Sequence, residues 1–340
     1  MSFAPWQPRR GYLNTASIGV PPPAAVEAVN AVTAAWANGK LTFGGWFTET
    51  QLTRASIAAL MAVPEEWVSL GGSSAPLLGS VAAGLPDGAR VLAPENEHNS
   101  NLIPYLNQAH RGVTVELVKL TELAARVTRD TTLVSCSAVQ SLTGEVADLA
   151  AIRAATTASG AQFCLDASQA CGWLPLSGAS ADVIVCSMYK WLCTPMGGAF
   201  MIMRPEVAGR FRPVTPSWAS MSDPMAAPYG TDMRVPLSGR KFDTVPNLIS
   251  MIAARESIDA LVGIGVETIH RHDVSLANRF RIGLKKAPSN SAIVSLPWEG
   301  AAKRLAAAGI VATEWRGNLR LSFHVYNDES DVDAALDVLA

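Results

Sequence analysis

Two short apolar runs, Phe163–Leu165 and Val183–Cys186, lie within the stretch FCLDASQACGWLPLSGASADVIVCSMYKWLCTPMGGAF, and each ends in polar residues. They constrain the fold more than any other feature of the chain. Neither run alternates apolar with polar, which is the pattern of strands covered on both faces, so a mostly parallel sheet flanked by helices is expected. The first run ends in Asp166, with Gln169 three residues on; the second ends in Ser187, with Lys190 three residues on. Open α/β sheets bind ligands at the carboxyl ends of their strands. A lysine there needs a chemical reason, because ammonium groups are seldom buried without a partner. Taken singly, Asp166 could cap a helix and Lys190 could snorkel from a strand end.

Taken together, the two residues suit pyridoxal phosphate. Lys190 would supply the amine of a Schiff base, for which it must be partly desolvated and close to other positive charge. Asp166 would face the pyridine nitrogen and keep it protonated, so that the ring can accept electrons from an adjacent carbanion.

Composition sets the bounds for this chemistry. A chain of 340 residues, 49% of them hydrophobic and with a net charge of −2, is expected to be globular, with two domains and no nucleic-acid or membrane partner. No stretch approaches the roughly 20 apolar residues that cross a bilayer, and MSFAPWQPRRGYL lacks a signal-peptide core, so a cytoplasmic location is expected. The five cysteines are odd in number and contain no CxxC pair, which argues for buried apolar side chains rather than a disulfide frame.

The succession LDASQACG, ADVIVCSMYKWL and GGAF resembles the class V aminotransferase-fold enzymes, a group that includes cysteine desulfurases, selenocysteine lyases, kynureninase and isopenicillin N epimerase. The resemblance implies a fold type I pyridoxal-phosphate enzyme of the α/β class. Its large domain would carry the mostly parallel sheet, joined to a small α+β C-terminal domain, with an N-terminal arm over 1–20, the large domain over 21–248 and the small one over 249–340. It also implies a homodimer. By residue, it implies Asp166 on the pyridine nitrogen, Gln169 on the ring hydroxyl, Ser187 on the phosphate and Lys190 as the Schiff-base lysine.

Other motifs extend the resemblance. In GGSSAPLLGSVAAGL, Gly72, Ser73 and Ser74 open a helix whose free N–H groups and hydroxyls suit a phosphate, although serine caps begin many helices without one. Neither a GxGxxG loop nor a P-loop is present. EHNSNLIPY resembles the desulfurase-group motif in which a histidine stacks on the cofactor ring, which implies that role for His98. His110, His270 and His272 read as ordinary surface histidines, and without an HExxH pair no metal is expected. Relatives usually carry Asn near the cofactor oxygen in the loop SAVQSLTGEV, where Gln140 stands here. Glu145 and Asp148 read as helix-start carboxylates.

YLNTASIG resembles the family's opening loop beside the substrate, although capping by Thr15 or Ser17 would also explain it. The long stretch up to about Gly239 is expected over the active site or at a subunit contact. KFDTVPN resembles a segment that reaches the neighbouring subunit's phosphate, which makes Thr244 the candidate contact and leaves Asn247 as a possible helix cap.

From Ser250 the chain reads as a long helix and then a small βαββα unit. LRLSFHVYN resembles the closing strand whose arginine grips the substrate carboxylate. Arg320 takes that place, with Arg316 as competitor and His324 as a structural residue. Desulfurases carry a nucleophilic cysteine between the last two strands, whereas here only Arg316, Gly317 and Asn318 connect them. The expected chemistry is therefore Cα deprotonation followed by β-elimination of the C–S lyase kind. Transamination and epimerisation are the alternatives, and a scaffold without turnover is the reading from another class.

Overall fold

The structure, a computed structural model, describes residues 3, 6, 7, 9–225, 229–231 and 233–339, so part of the arm expected at 1–20 lies outside the described residues. Two helices, α1 (Pro23–Ala37) and α2 (Phe43–Met61), precede β1 (Val68–Gly71), α3 (Ser74–Ala83), β2 (Arg90–Pro94) and α4 (Asn99–Leu106). Next come β3 (Thr114–Val118), the one-turn α5 (Leu123–Arg126), β4 (Leu133–Ser137), α6 (Leu149–Ser159) and β5 (Gln162–Asp166). β6 (Val183–Ser187), β7 (Ala199–Met203) and the one-turn α7 (Pro205–Ala208) complete this part.

The seven strands form one sheet in the order β1-β7-β6-β5-β4-β2-β3. The pairs β2–β3, β2–β4, β4–β5 and β5–β6 are parallel, while β7 runs antiparallel to both its neighbours. β4, β6 and β7 are buried at every position, and β5 at all but Gln162. The unalternating apolar runs are therefore central strands, as expected.

Successive side chains on these strands feed two cores. Phe163, Leu165, Ile184 and Phe200 pack on one face; Cys164, Val183, Val185 and Met201 pack on the other. Each fully buried side chain of this size contributes about 1.5–3 kcal/mol, which anchors the strand ends that carry the polar residues.

Beyond the sheet, α8 (Leu248–Ile264) packs on α1 and α2, and α9 (Val266–Gly283) follows. The single long helix expected from Ser250 is thus two helices. Gly265, at φ +88°, adopts a backbone that few other residues tolerate, and the helix breaks there. The chain ends in β8 (Ile293–Pro297), α10 (Ala301–Ala307), β9 (Thr313–Trp315), β10 (Asn318–Ser322) and α11 (Glu329–Leu339), with the strands forming an antiparallel sheet in the order β8-β10-β9.

The segment after Gly11 runs alongside this second sheet. The Leu13 N–H donates to the Val311 carbonyl at 2.9 Å, and the Ser322 N–H donates to the Leu13 carbonyl at 2.9 Å. Ala16 and Ser17 are thereby carried up to β10. Among the described residues no helix is long and apolar enough to cross a membrane.

Candidate active site

β5 and β6 are parallel neighbours with Asp166 paired to Val185, so Asp166 and Ser187 open at the same end of the sheet. The Ser187 hydroxyl donates to the Ser74 hydroxyl at 3.0 Å, which brings the end of β6 to the N-terminus of α3. Asp166, Gln169, Ser187, Ser74, His98 and Lys190 all line one small inner cavity. A larger cavity of about 580 Å³ opens beside it, sharing His98, Ser141, Tyr189 and Lys190 and adding Arg320, Arg316 and Trp315.

The charges in these cavities feel one another. Burial lowers Lys190 from its ordinary value; Asp166 opposes that shift and Arg320 adds to it. Burial also lowers His98, with Lys190 pushing the same way and Asp166 against it. His98 is the N-cap of α4, and its Nδ1 accepts from the Ser100 N–H at 3.2 Å. The proton of the neutral ring therefore sits on Nε2. Burial brings Arg320 down to about 10.

Arg320 is only partly spent. Its Nη1 donates to the Ser141 carbonyl at 2.8 Å and to the Ser141 hydroxyl at 3.0 Å, and its Nη2 donates to the Ser17 hydroxyl at 2.7 Å. Its Nε is buried and has no partner among the described residues. Nε–H and one Nη2–H are thus unspent, and the Nε–Nη2 edge of a guanidinium is one that can receive a carboxylate in parallel.

Ser141 is the residue that the spacing missed. The indole Nε1 of Trp191 can only donate and does so to Gln169 Oε1 at 2.8 Å, which fixes the orientation of that amide. Gln169 Nε2 then donates to the Ala16 carbonyl and the Ser141 hydroxyl, both at 3.0 Å. The Ser141 oxygen thus accepts from two obligate donors, and its own proton is left to donate into the cavity it lines.

Gln140 does not reach either cavity. A tight turn, with the Gln140 N–H on the Glu145 carbonyl at 2.8 Å and the Gly144 N–H on the Gln140 carbonyl at 2.8 Å, directs its side chain elsewhere. Its Nε2 donates to Glu97 Oε2 at 3.2 Å. Glu97 also accepts from the Ser137 N–H at 2.6 Å and the His98 N–H at 2.8 Å, which tethers the His98 loop to the end of β4. Ser141, one residue on, lines both cavities.

Gly72 and Ser73 are exposed at the start of α3, just before Ser74, and neither lines the inner cavity. Thr244 lies outside both cavities, with its N–H on the Leu70 carbonyl at 2.9 Å, and it lines a separate pocket with Arg54 and Trp218. No described residue of 204–247 lines either cavity. Trp218 of that stretch packs instead on Phe43 and Trp46, at ring separations of 5.0 and 5.3 Å.

The N-terminal loop closes on the lysine turn. The Gly19 N–H donates to the Tyr189 carbonyl at 2.9 Å, and a Cβ on Gly19 would come within 1.9 Å of the Lys190 carbonyl oxygen. Gly19→Ala is expected to cost about 1–3 kcal/mol or more in urea unfolding and to weaken cofactor retention, because the obstacle is backbone. Wild-type stability and wild-type retention together would rule out this close contact.

The model of the family described as "Aminotransferase class-V" matches residues 34–307. The chain belongs to that family. The uncharacterized aminotransferase YcbU of Bacillus subtilis is similar at 24% identity over 314 residues, covering 86% of this chain and 83% of its own. Cysteine desulfurase 2 of Trichormus variabilis is 26% identical over 336 residues, covering 88% of this chain and 83% of its own. The solved complex of the cystine C–S lyase C-DES with cysteine persulfide superposes with a TM-score of 0.85 at 18% identity, covering 97% of each chain. The fold is the type I pyridoxal-phosphate fold, and this class V protein is a pyridoxal-phosphate enzyme.

The residues present fit that cofactor. A lysine shifted toward its free amine, a carboxylate at the end of β5, and the hydroxyls of Ser74, at the N-terminus of a ten-residue helix, and Ser187, at the end of β6, converge on one cavity. These are the nucleophile, the acceptor and the donors needed for an aldehyde, a pyridinium and a phosphate respectively.

Proposed function

We propose that this enzyme binds an amino acid through Arg320 and removes its α-proton, and that with sulfur on the β-carbon the outcome is C–S cleavage by β-elimination. In overall balance, a cysteine S-conjugate and water would give a thiol, pyruvate and ammonium. Bound pyridoxal phosphate would supply the electron sink next to the substrate α-carbon. Asp166 would hold the ring nitrogen's proton, while Ser74, Ser187 and the start of α3, with Gly72 and Ser73, would hold the phosphate. His98 would pack against the ring, and Gln169 and Ser141 would face its hydroxyl side. Lys190 Nζ would take the α-proton, a task that suits an amine lowered by burial.

The observation that carries this reading is the contrast between the clamp and the thiols. Arg320 keeps its Nε–H and one Nη2–H unspent, whereas all five cysteines are buried and none lines either cavity. The turn between β9 and β10 holds only Arg316 and Gly317, which leaves little chain to carry a persulfide. The test is pyruvate and sulfide or thiol release from a panel of cysteine derivatives, with a parallel search for protein-bound persulfide. A persulfide, or no pyruvate across the panel, would overturn the proposal. Similarity to an aminotransferase over 86% of the chain favours transamination as the second reading, marked by conversion of the cofactor to its amine form.

Arg316 serves to separate clamp from rim. It is exposed at φ +51° in the β9–β10 turn, a conformation that asparagine tolerates better. Arg316→Asn is expected to leave KM for small amino acids within about twofold. A large rise would transfer the carboxylate role to Arg316. A homodimer in which Thr244 meets the neighbouring subunit's phosphate is part of the same proposal. It is supported by the position of Thr244 outside this chain's own cavities, and sedimentation of the holoenzyme is its test.

A further inference from the structure

Four residues beyond Arg320, the wholly buried His324 has Nδ1 2.8 Å from Asp273 Oδ2 and Nε2 3.0 Å from the Trp191 carbonyl oxygen. A carbonyl can only accept, so His324 Nε2 carries a proton and donates it to Trp191. Asp273, also wholly buried, has its other oxygen 2.8 Å from His272 Nδ1. Other neighbours of His324 include Asn327, whose Oδ1 accepts from the His324 N–H at 3.0 Å, Tyr326, whose ring meets His324 edge-on at 5.7 Å, and Cys193, whose thiol is pushed up first by burial and then by Asp273.

We infer that His324 is a positioning residue for the active site, acting through Trp191 on Lys190 and Gln169. Trp191 is the residue next to Lys190. Its carbonyl is held by His324 and its indole N–H holds Gln169 Oε1, while its ring packs on His324 at 5.2 Å and on Trp173 at 5.3 Å. The direction of each bond is forced: His324 donates to Trp191, Trp191 to Gln169, and Gln169 to Ser141. None of His324, Asp273 and Trp191 lines either cavity, so their effect must pass through the residues that do. The inference rests on the assignment of Lys190 and Gln169 to the cofactor site.

The test compares His324→Phe, which keeps a ring but removes both ring nitrogens, with Asp273→Asn. The asparagine amide can donate to Nδ1 and accept from His272, so a neutral His324 keeps its Nε2–H on Trp191. In folded holoenzyme, His324→Phe is expected to shift the visible band of the bound cofactor and speed its release about tenfold, as for loss of one hydrogen bond. Asp273→Asn is expected to stay near wild type in both. Unchanged band and release in folded His324→Phe would overturn the inference, as would equal damage in Asp273→Asn. Histidine ¹⁵N shifts of wild-type holoenzyme decide the matter even if His324→Phe does not fold: a buried histidine with its Nε2 protonated and hydrogen-bonded is expected, and its absence overturns the inference. Loss of pyruvate formation with every variant and wild type alike would instead count against the proposed reaction and leave these spectra to be read on their own.

Discussion

Lys190→Ala is expected to bind pyridoxal phosphate without the borohydride-reducible yellow chromophore and to lose about 10²- to 10⁴-fold in turnover, the usual contribution of a positioned proton-transfer group. Absorbance before and after borohydride, with turnover on the same preparation, measures both. A reducible chromophore that survives the substitution would mean that another amine carries the cofactor. The same lysine makes the apoprotein's stability depend on pH. Its folded value is lowered by burial from the ordinary 10.5. Below the folded value both states are charged and the burial cost is present in full. Between the two values the unfolded chain binds the extra proton, so stability rises with pH, and above the ordinary value the rise ends. Urea midpoints of wild-type apoprotein minus those of Lys190→Met should therefore climb as pH rises toward that limit. A flat or falling difference would contradict the burial of this amine.

Arg320→Gln is expected to raise KM steeply and cut kcat/KM by about 10²- to 10⁴-fold, because two charge-assisted hydrogen bonds to a carboxylate are worth about 1.5–3 kcal/mol each. Much of the loss should persist in Arg320→Lys, since a point charge cannot offer paired donors in a fixed plane. An amino-acid amide as substrate supplies the control, because it lacks the second acceptor oxygen and should be nearly indifferent to the change. Equal losses for acid and amide would assign Arg320 to holding Ser141 rather than to gripping substrate.

Several features were legible because they are local. The central strands announced themselves as unalternating apolar runs, and Asp166 and Ser187 followed from where those runs end. Helix caps were equally visible: Asp148 accepts from the Ala151 N–H at 3.0 Å and Asn247 from the Ser250 N–H at 3.1 Å. Other features were not. That Ser141 rather than Gln140 lines the cavities follows from the turn spanning Gln140 to Glu145, which local spacing does not reveal. The break at Gly265 was hidden because apolar spacing continues on both sides of a single glycine. Arg54 pairs with Asp243, buried at 2.7 Å across 189 residues, and no local pattern could couple them.

From its residues alone, this chain declares a doubly covered sheet, a lysine and an aspartate at adjoining strand ends, and a resemblance to one enzyme family, all of which rest on short-range spacing. Tertiary structure alone decided that Ser141 faces the cavity, that Nε of Arg320 stays without a partner, and that His324 reaches back to the lysine turn. Those outcomes depend on which donors and acceptors packing brings together from distant parts of the chain, and bond direction in a buried site is settled only when every partner is in place.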